Sequence, residues 1–206
     1  MTEVIGLELA ELRHRLQGNF QLLQALISIR LRAVEDPESR RHLNWLTDVI
    51  AALGLINRRL TATGLSDFGA YLIDSVGFWQ RVCAGRNIGF TLEAVAALPL
   101  PERFASSLAL VVHELVANAV EHAFPEDRPG RVTIALVEKY GVLELRVSDD
   151  GVGRSRAEVE AKEGLVLVRG LAEHLGGVFE PTYEDGFTAC VRVPLEPKSR
   201  RKPKGH

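Results

Sequence analysis

Apolar residues recur at steps of three and four through the first third of the chain: Ile5, Leu9, Leu12, Leu16, Phe20, Leu23, Ile27, Leu31 and Val34. That spacing keeps one stripe on one side of an α-helix. Glu35-Asp36-Pro37-Glu38 interrupts it. Proline pushes its predecessor into extended backbone and suits the first position of a new helix. A second stripe follows at Leu43, Leu46, Ile50, Leu53, Ile56 and Leu60, and Gly64 is expected to end that helix. Two long helices joined by a tight turn predict an antiparallel hairpin. A lone hairpin leaves apolar surface bare, so pairing with a second copy is expected, as a four-helix bundle in a homodimer.

After residue 65 the period switches between helical and alternating. The pattern predicts a helix over 67–83, a strand over 88–94, a long helix over 101–124 and a loop over 125–130. Strands over 131–139 and 142–148 should form a hairpin at Tyr140-Gly141. A helix over 165–175 should end at Gly176-Gly177, and strands over 178–183 and 187–193 should turn at Asp185-Gly186. The fold class is therefore α+β: a helical hairpin over 1–64, an α/β sandwich with a mixed sheet over 65–197, and a basic tail, expected to be disordered, over 198–206.

Composition narrows the class. The 206 residues are 46% hydrophobic and 25% charged, which excludes disorder of the whole chain. A net charge of −2 argues against a nucleic-acid partner. No uncharged apolar run nears the ~20 residues that a membrane helix needs, and the acidic start is unlike a signal peptide. Cys83 and Cys190 are too few and too distant to suggest a disulfide framework, and both are expected to be small core residues. A cytoplasmic location without membrane insertion is expected.

Three segments carry candidate chemistry. In His113–Phe124, Glu114, Asn118, Glu121 and His122 fall at helical spacings and can share a face. In Ser148–Gly153, Asp149 ends a strand and can accept from an exocyclic amine such as that of adenine. Gly151 and Gly153 follow, where backbone can approach a ligand closely. In Glu163–Gly177, Gly164 precedes a helix whose first amides can meet phosphate. A zinc reading of His113-Glu114 fails because the second histidine position of HExxH holds Ala117. Trp45 and Trp79 are expected to be packing residues.

In this order and spacing the three segments resemble the N, G1 and G2 boxes of the GHKL ATPase superfamily. The resemblance implies an adenine contact at Asp149, backbone approach at Gly151 and Gly153, and Mg²⁺ coordination by Asn118. It also implies Glu114 near the metal-bound water, Gly164 beside the phosphates of ATP, His122 among the nucleotide-facing residues, and an ATP lid over 154–162. The hairpin is similar to the phosphoacceptor hairpin of HWE-like histidine kinases: His14, Arg15, Asn19 and Gln21 stand in the family's order, with Gly18 where a second asparagine is usual. His14 is two residues from both Leu12 and Leu16, so it points away from the apolar stripe. Glu11, one turn earlier, can orient its ring, and Arg13 and Arg15 can steady a phosphate.

The resemblance implies a histidine kinase core without its own sensor. It would use Mg-ATP to phosphorylate His14 and pass the group to a response-regulator aspartate, with input from a separate sensor protein. Reaching His14 needs a flexible joint near Gly64-Leu65-Ser66. Three positions depart from the family pattern: Lys162-Glu163-Gly164-Leu165 replaces a GLGL-like box, Glu121 stands where lysine is common, and Phe187 where threonine is usual. These departures keep open a histidine phosphotransferase whose GHKL domain no longer binds ATP. A third reading is a GHKL regulator that binds a protein partner, or a serine kinase of anti-sigma type.

Overall fold

The computed structural model describes residues 2–59, 65–95, 99–153 and 163–195. The expected ATP lid and basic tail lie outside the described residues, as do Gly64 and the side chain of Arg13. Helix α1 (Thr2–Leu31) and helix α2 (Pro37–Asn57) form the hairpin. Asp36 caps α2 by accepting the Ser39 amide at 2.7 Å, with Pro37 in the first turn. The turn therefore forms where proline and aspartate predicted it.

Helix α2 stops at Asn57, short of the expected end at Gly64. Arg59 explains the stop. Its guanidinium donates to both carboxylate oxygens of Asp74, at 2.9 and 2.7 Å, and its carbonyl accepts the Asp67 amide at 3.2 Å. That clamp turns the chain out of the helix and ties it to the next element. Leu65 and Ser66, expected in a flexible joint, instead belong to strand β1 (Leu65–Asp67), and Ser66 is buried. Strand β1 pairs antiparallel with β3 (Pro99–Pro101), so the entry to the α/β part is held rather than loose.

Helix α3 (Phe68–Val82) begins where Asp67 caps the Ala70 amide. Strand β2 (Ile88–Val95) follows, then β3 and helix α4 (Glu102–His122). A short 3₁₀ turn (Pro125–Asp127) leads into β4 (Gly130–Lys139) and β5 (Val142–Asp149). Helix α5 (Glu163–His174), β6 (Val178–Thr182) and β7 (Phe187–Pro194) complete the described chain. The sheet order is β2-β4-β5-β7-β6. Only β2 and β4 run parallel, joined through α4, so the sheet is mixed as expected. Tyr140 and Gly141 both have positive φ, which the tight turn between β4 and β5 requires.

Alternation along the strands places Ile134, Leu136, Leu143, Leu145 and Val147 against the helices. There they meet Phe68, Tyr71, Leu72, Leu108 and Leu115 in one core. Tyr71 satisfies its buried hydroxyl by donating to the Ala109 carbonyl at 3.0 Å. The other sheet face is polar: Arg192 reaches Glu144 across the β5–β7 register at 2.7 Å. Both cysteines are buried and free. Among the described residues α4 alone is long and apolar enough to cross a membrane, but 67% of that apolar stretch is buried, so its apolar face belongs to the core. The hairpin contrasts with this core, because Leu16, Leu22, Leu23, Leu26, Ile29 and Leu46 are exposed.

Candidate nucleotide site

The site residues lie along α4, with the start of α5 against Glu114 and Asn118 and the loop after β5 against Ala123. Helix α4 buries Val111, Val112, Leu115 and Val116, which turns the intervening Glu114 and Asn118 toward α5 and α2. The Asn118 amide group donates from Nδ2 to the Glu114 carbonyl at 2.8 Å. This bond fixes the side chain and leaves Oδ1 as its acceptor. Gly164 lies directly against this pair. A methyl group there would fall 2.8 Å from Oε2 of Glu114 and 3.1 Å from Nδ2 of Asn118. The first and third sequence segments, 50 residues apart at these positions, are thus in contact through a position with little room for a side chain.

Asp149 ends β5 and is buried. Its Oδ1 accepts the Gly151 amide at 3.0 Å. Burial pushes its carboxyl pKa upward, opposed by the amides of Gly151 and Phe187. The two glycines of this segment differ in purpose. Gly153 has a φ of +65°, which favours glycine. Gly151 is needed for packing, because a Cβ there would fall 2.4 Å from Ala123 Cβ and 2.5 Å from its carbonyl oxygen. The Ala123 carbonyl in turn accepts the Val152 amide at 3.0 Å. The β6–β7 turn closes this end. Gly186, with a φ of +107°, backs onto the Asp149 carbonyl, where a Cβ would come within 2.1 Å.

Glu114 is 4% exposed. Its Oε1 accepts a hydrogen bond from the indole Nε1 of Trp45, on α2 of the hairpin. Burial raises its pKa. The Trp45 bond opposes that rise, and the negative charges of Glu121 and Asp48 add to it. Asp48, one turn beyond Trp45, is raised to about 6 by burial and by Glu121. His122 is half-buried, 3.7 Å from Glu121. His113 lies on the core side of α4, stacked on Trp79 with ring centroids 5.2 Å apart. Burial lowers its pKa to about 4.

His14 is exposed on α1, as are Leu16 and Leu23 of the apolar stripe. Glu11, expected to orient its ring, holds a 2.6 Å ion pair with Arg15 instead. Asn19 is also exposed. Sequence reasoning missed the part of Trp45 and Asp48 at this site. Trp45 is 69 residues from Glu114 in the chain, and nothing in the helical pattern links them.

Among the described residues no group of three or more His, Cys, Asp or Glu side chains is spaced to hold a metal. The donors at the site are hard oxygens, the free Asn118 Oδ1 and the Glu114 carboxylate. Such a set fits a small divalent cation that takes most of its ligands from phosphates and water.

A mixed sheet covered on one face by helices, with an Asn-bearing helix that meets a glycine-led helix along its length and an Asp–Gly strand end at its C-terminus, defines a GHKL-type ATPase domain. This one carries a helical hairpin at its N-terminal side. Residues 80–186 match the family described as "Histidine kinase-like ATPase domain", and residues 11–74 match "Histidine kinase". The chain is 29% identical over 199 residues to the sensor histidine kinase PdtaS of Mycobacterium tuberculosis, covering 92% of this chain and 40% of that protein. It is 35% identical over 91 residues to an anti-sigma F factor of a Geobacillus species, covering 44% of this chain and 60% of that one. The fold matches the histidine kinase domain of the Erythrobacter litoralis EL346 blue-light activated kinase, with a TM-score of 0.67, 22% identity, and coverage of 85% and 96% of the two chains. The chain belongs to the histidine kinase family. It spans less than half the length of PdtaS.

Proposed function

We propose that this chain binds Mg-ATP between α4 and α5, transfers the γ-phosphoryl group to His14, and then yields it to a response-regulator aspartate. The observation that carries this reading is the contact of Gly164 with Glu114 and Asn118. It supports a phosphate seat at the start of α5, beside a carboxylate and an amide oxygen. Asp149, buried at the far end of α4, suits the amino group of adenine.

In this reading a neutral ring nitrogen of His14 attacks the γ-phosphorus. The bond from that phosphorus to the β–γ bridging oxygen breaks, and ADP leaves with the electron pair. Glu114, its pKa raised by burial, can hold the proton that the imidazole gives up. Asn118 would hold Mg²⁺ through Oδ1, and the ion's chemistry here is neutralisation of phosphate charge. The exposed leucines of α1 support pairing with a second copy through the hairpin.

The test is labelling with γ-radiolabelled Mg-ATP, comparing wild type with His14→Ala and Asp149→Ala. An acid-labile, base-stable label lost in both variants is expected. If no label forms but a phosphorylated regulator donates to His14, the chain is a histidine phosphotransferase. If His14 takes phosphate from neither source, the chain is a GHKL regulator that acts through a protein partner.

A further inference from the structure

We propose that Trp45 is a positioning residue that locks the Glu114 carboxylate, so the hairpin-docked arrangement is a resting state that must open before His14 is phosphorylated. The inference rests on the roles given to Glu114 and His14 above. Three observations carry it.

The first is the bond itself. Glu114 is almost fully buried, and the hairpin supplies an N–H donor to one of its two oxygens. The Trp45 bond opposes the uptake of a proton that burial favours, and it turns this oxygen to the hairpin rather than to a substrate. Its other oxygen lies against Gly164, where the phosphates are expected.

The second is distance along the hairpin. His14 lies 17 residues before the end of α1, and Trp45 lies eight residues into α2. At ~1.5 Å per residue in an antiparallel pair, their levels differ by about 14 Å. A second copy in a parallel bundle carries its own His14 at the same level, so the offset holds for either protomer's histidine. Phosphoryl transfer needs attacking and accepting atoms within about 3.5 Å. The contact seen here therefore belongs to a state in which transfer does not occur.

The third is that the contact is built to break. Trp45 is 42% exposed, so its ring is not anchored by burial. Asp48, on the same face, brings its carboxylate toward Glu114 and Glu121. Asp48 of α2 thus meets two like charges on α4, which opposes docking, and the Trp45 hydrogen bond is the counterweight. Farther along α2, Ala52 and Ile56 are buried against the sandwich, so the helix is firmly seated at one end and weakly held at the other.

Trp45→Phe keeps the ring and removes the donor. The initial rate of His14 labelling should rise about tenfold, the shift expected from losing one hydrogen bond to a charged group, and the KM for Mg-ATP should fall because nucleotide favours the released state. Amide exchange over residues 43–50 should quicken in the same variant. In Trp79→Phe, where Trp45 is the sole indole, adding Mg-ATP should move the emission to longer wavelength as the ring enters water. A labelling rate equal to or below wild type in W45F overturns the lock. If the wild type takes no label, the kinase reading is what fails, and the lock is judged on exchange: faster exchange over 43–50 in W45F upholds it, and unchanged exchange overturns it.

Discussion

Replacing Gly164 by alanine separates folding from ligand binding at the site. The residue is second in α5 and its φ is not positive, so alanine suits the backbone. Helix propensity favours alanine over glycine by up to about 1 kcal/mol. Against this, the new methyl falls 2.8 Å from Oε2 of Glu114 and 3.1 Å from Nδ2 of Asn118. Ordinary contact needs about 0.5 Å more, and the ends of two side chains can give that much without moving backbone. The two effects nearly cancel, so Tm should stay within about 3 °C of wild type. Nucleotide binding should not survive so well. Asn118 would be pushed off the position where Oδ1 can serve a cation, and one misplaced contact to a charged group costs about 1.5–3 kcal/mol. Mg-ATP should bind about 10- to 100-fold more weakly by calorimetric titration. Gly170→Ala is the matched control: the same helix, with no atom within 4 Å of the added carbon, and wild-type nucleotide affinity expected. A Gly164→Ala protein with normal melting and affinity within twofold of wild type would refute the phosphate seat.

Other substitutions have distinct expected readouts. Gly151→Ala drives a methyl into Ala123 backbone and should cost about 1–3 kcal/mol of stability, measured as a lower Tm without nucleotide. His113 is held neutral, with burial lowering its pKa to about 4. The unfolded chain therefore binds the extra proton between pH 6.5 and 4, so stability falls as pH falls through that window, by about 3 kcal/mol in all. Denaturant titrations of His113→Gln should show a flatter acid limb. Asp48 has the opposite sign, because its folded pKa is raised to about 6. Its carboxylate costs stability above that pH and nothing below pH 4, so Asp48→Asn should stabilise the protein by about 1–2 kcal/mol at pH 7.5, after discounting for partial exposure, and not at pH 4.

What could be read from sequence was what local spacing encodes. The period of three and four in α4 gave both its buried stripe and the shared face of Glu114 and Asn118. Alternation and the Tyr140-Gly141 turn gave β4 and β5 in register. Asp36-Pro37 gave the hairpin turn. Strands β1 and β3 were not legible, because three residues hold no period and two of those in β3 are prolines. The end of α2 was misjudged because the Arg59–Asp74 clamp is a contact between elements, and a stripe that could continue to Leu60 does not reveal it. Gly151 read as a ligand-facing glycine, yet the atoms that exclude a side chain there belong to Ala123, 28 residues earlier.

Glu114 connects the hairpin to the chemistry through a single energetic requirement. A buried carboxylate left without a donor loses about 1–3 kcal/mol, and more when it is charged. In the docked state the donor is Trp45. In the proposed open state that donor and the charge of Asp48 leave together with the hairpin, and of the neighbouring acids Glu121 stays beside the carboxylate on α4. Opening an empty site exchanges the indole N–H for water at this carboxylate. With nucleotide and a cation bound as proposed, positive charge near the carboxylate would take the place of the lost donor. On this reading nucleotide occupancy and hairpin release would be coupled through one carboxylate, and the coupling would need no contact between the nucleotide and the hairpin itself.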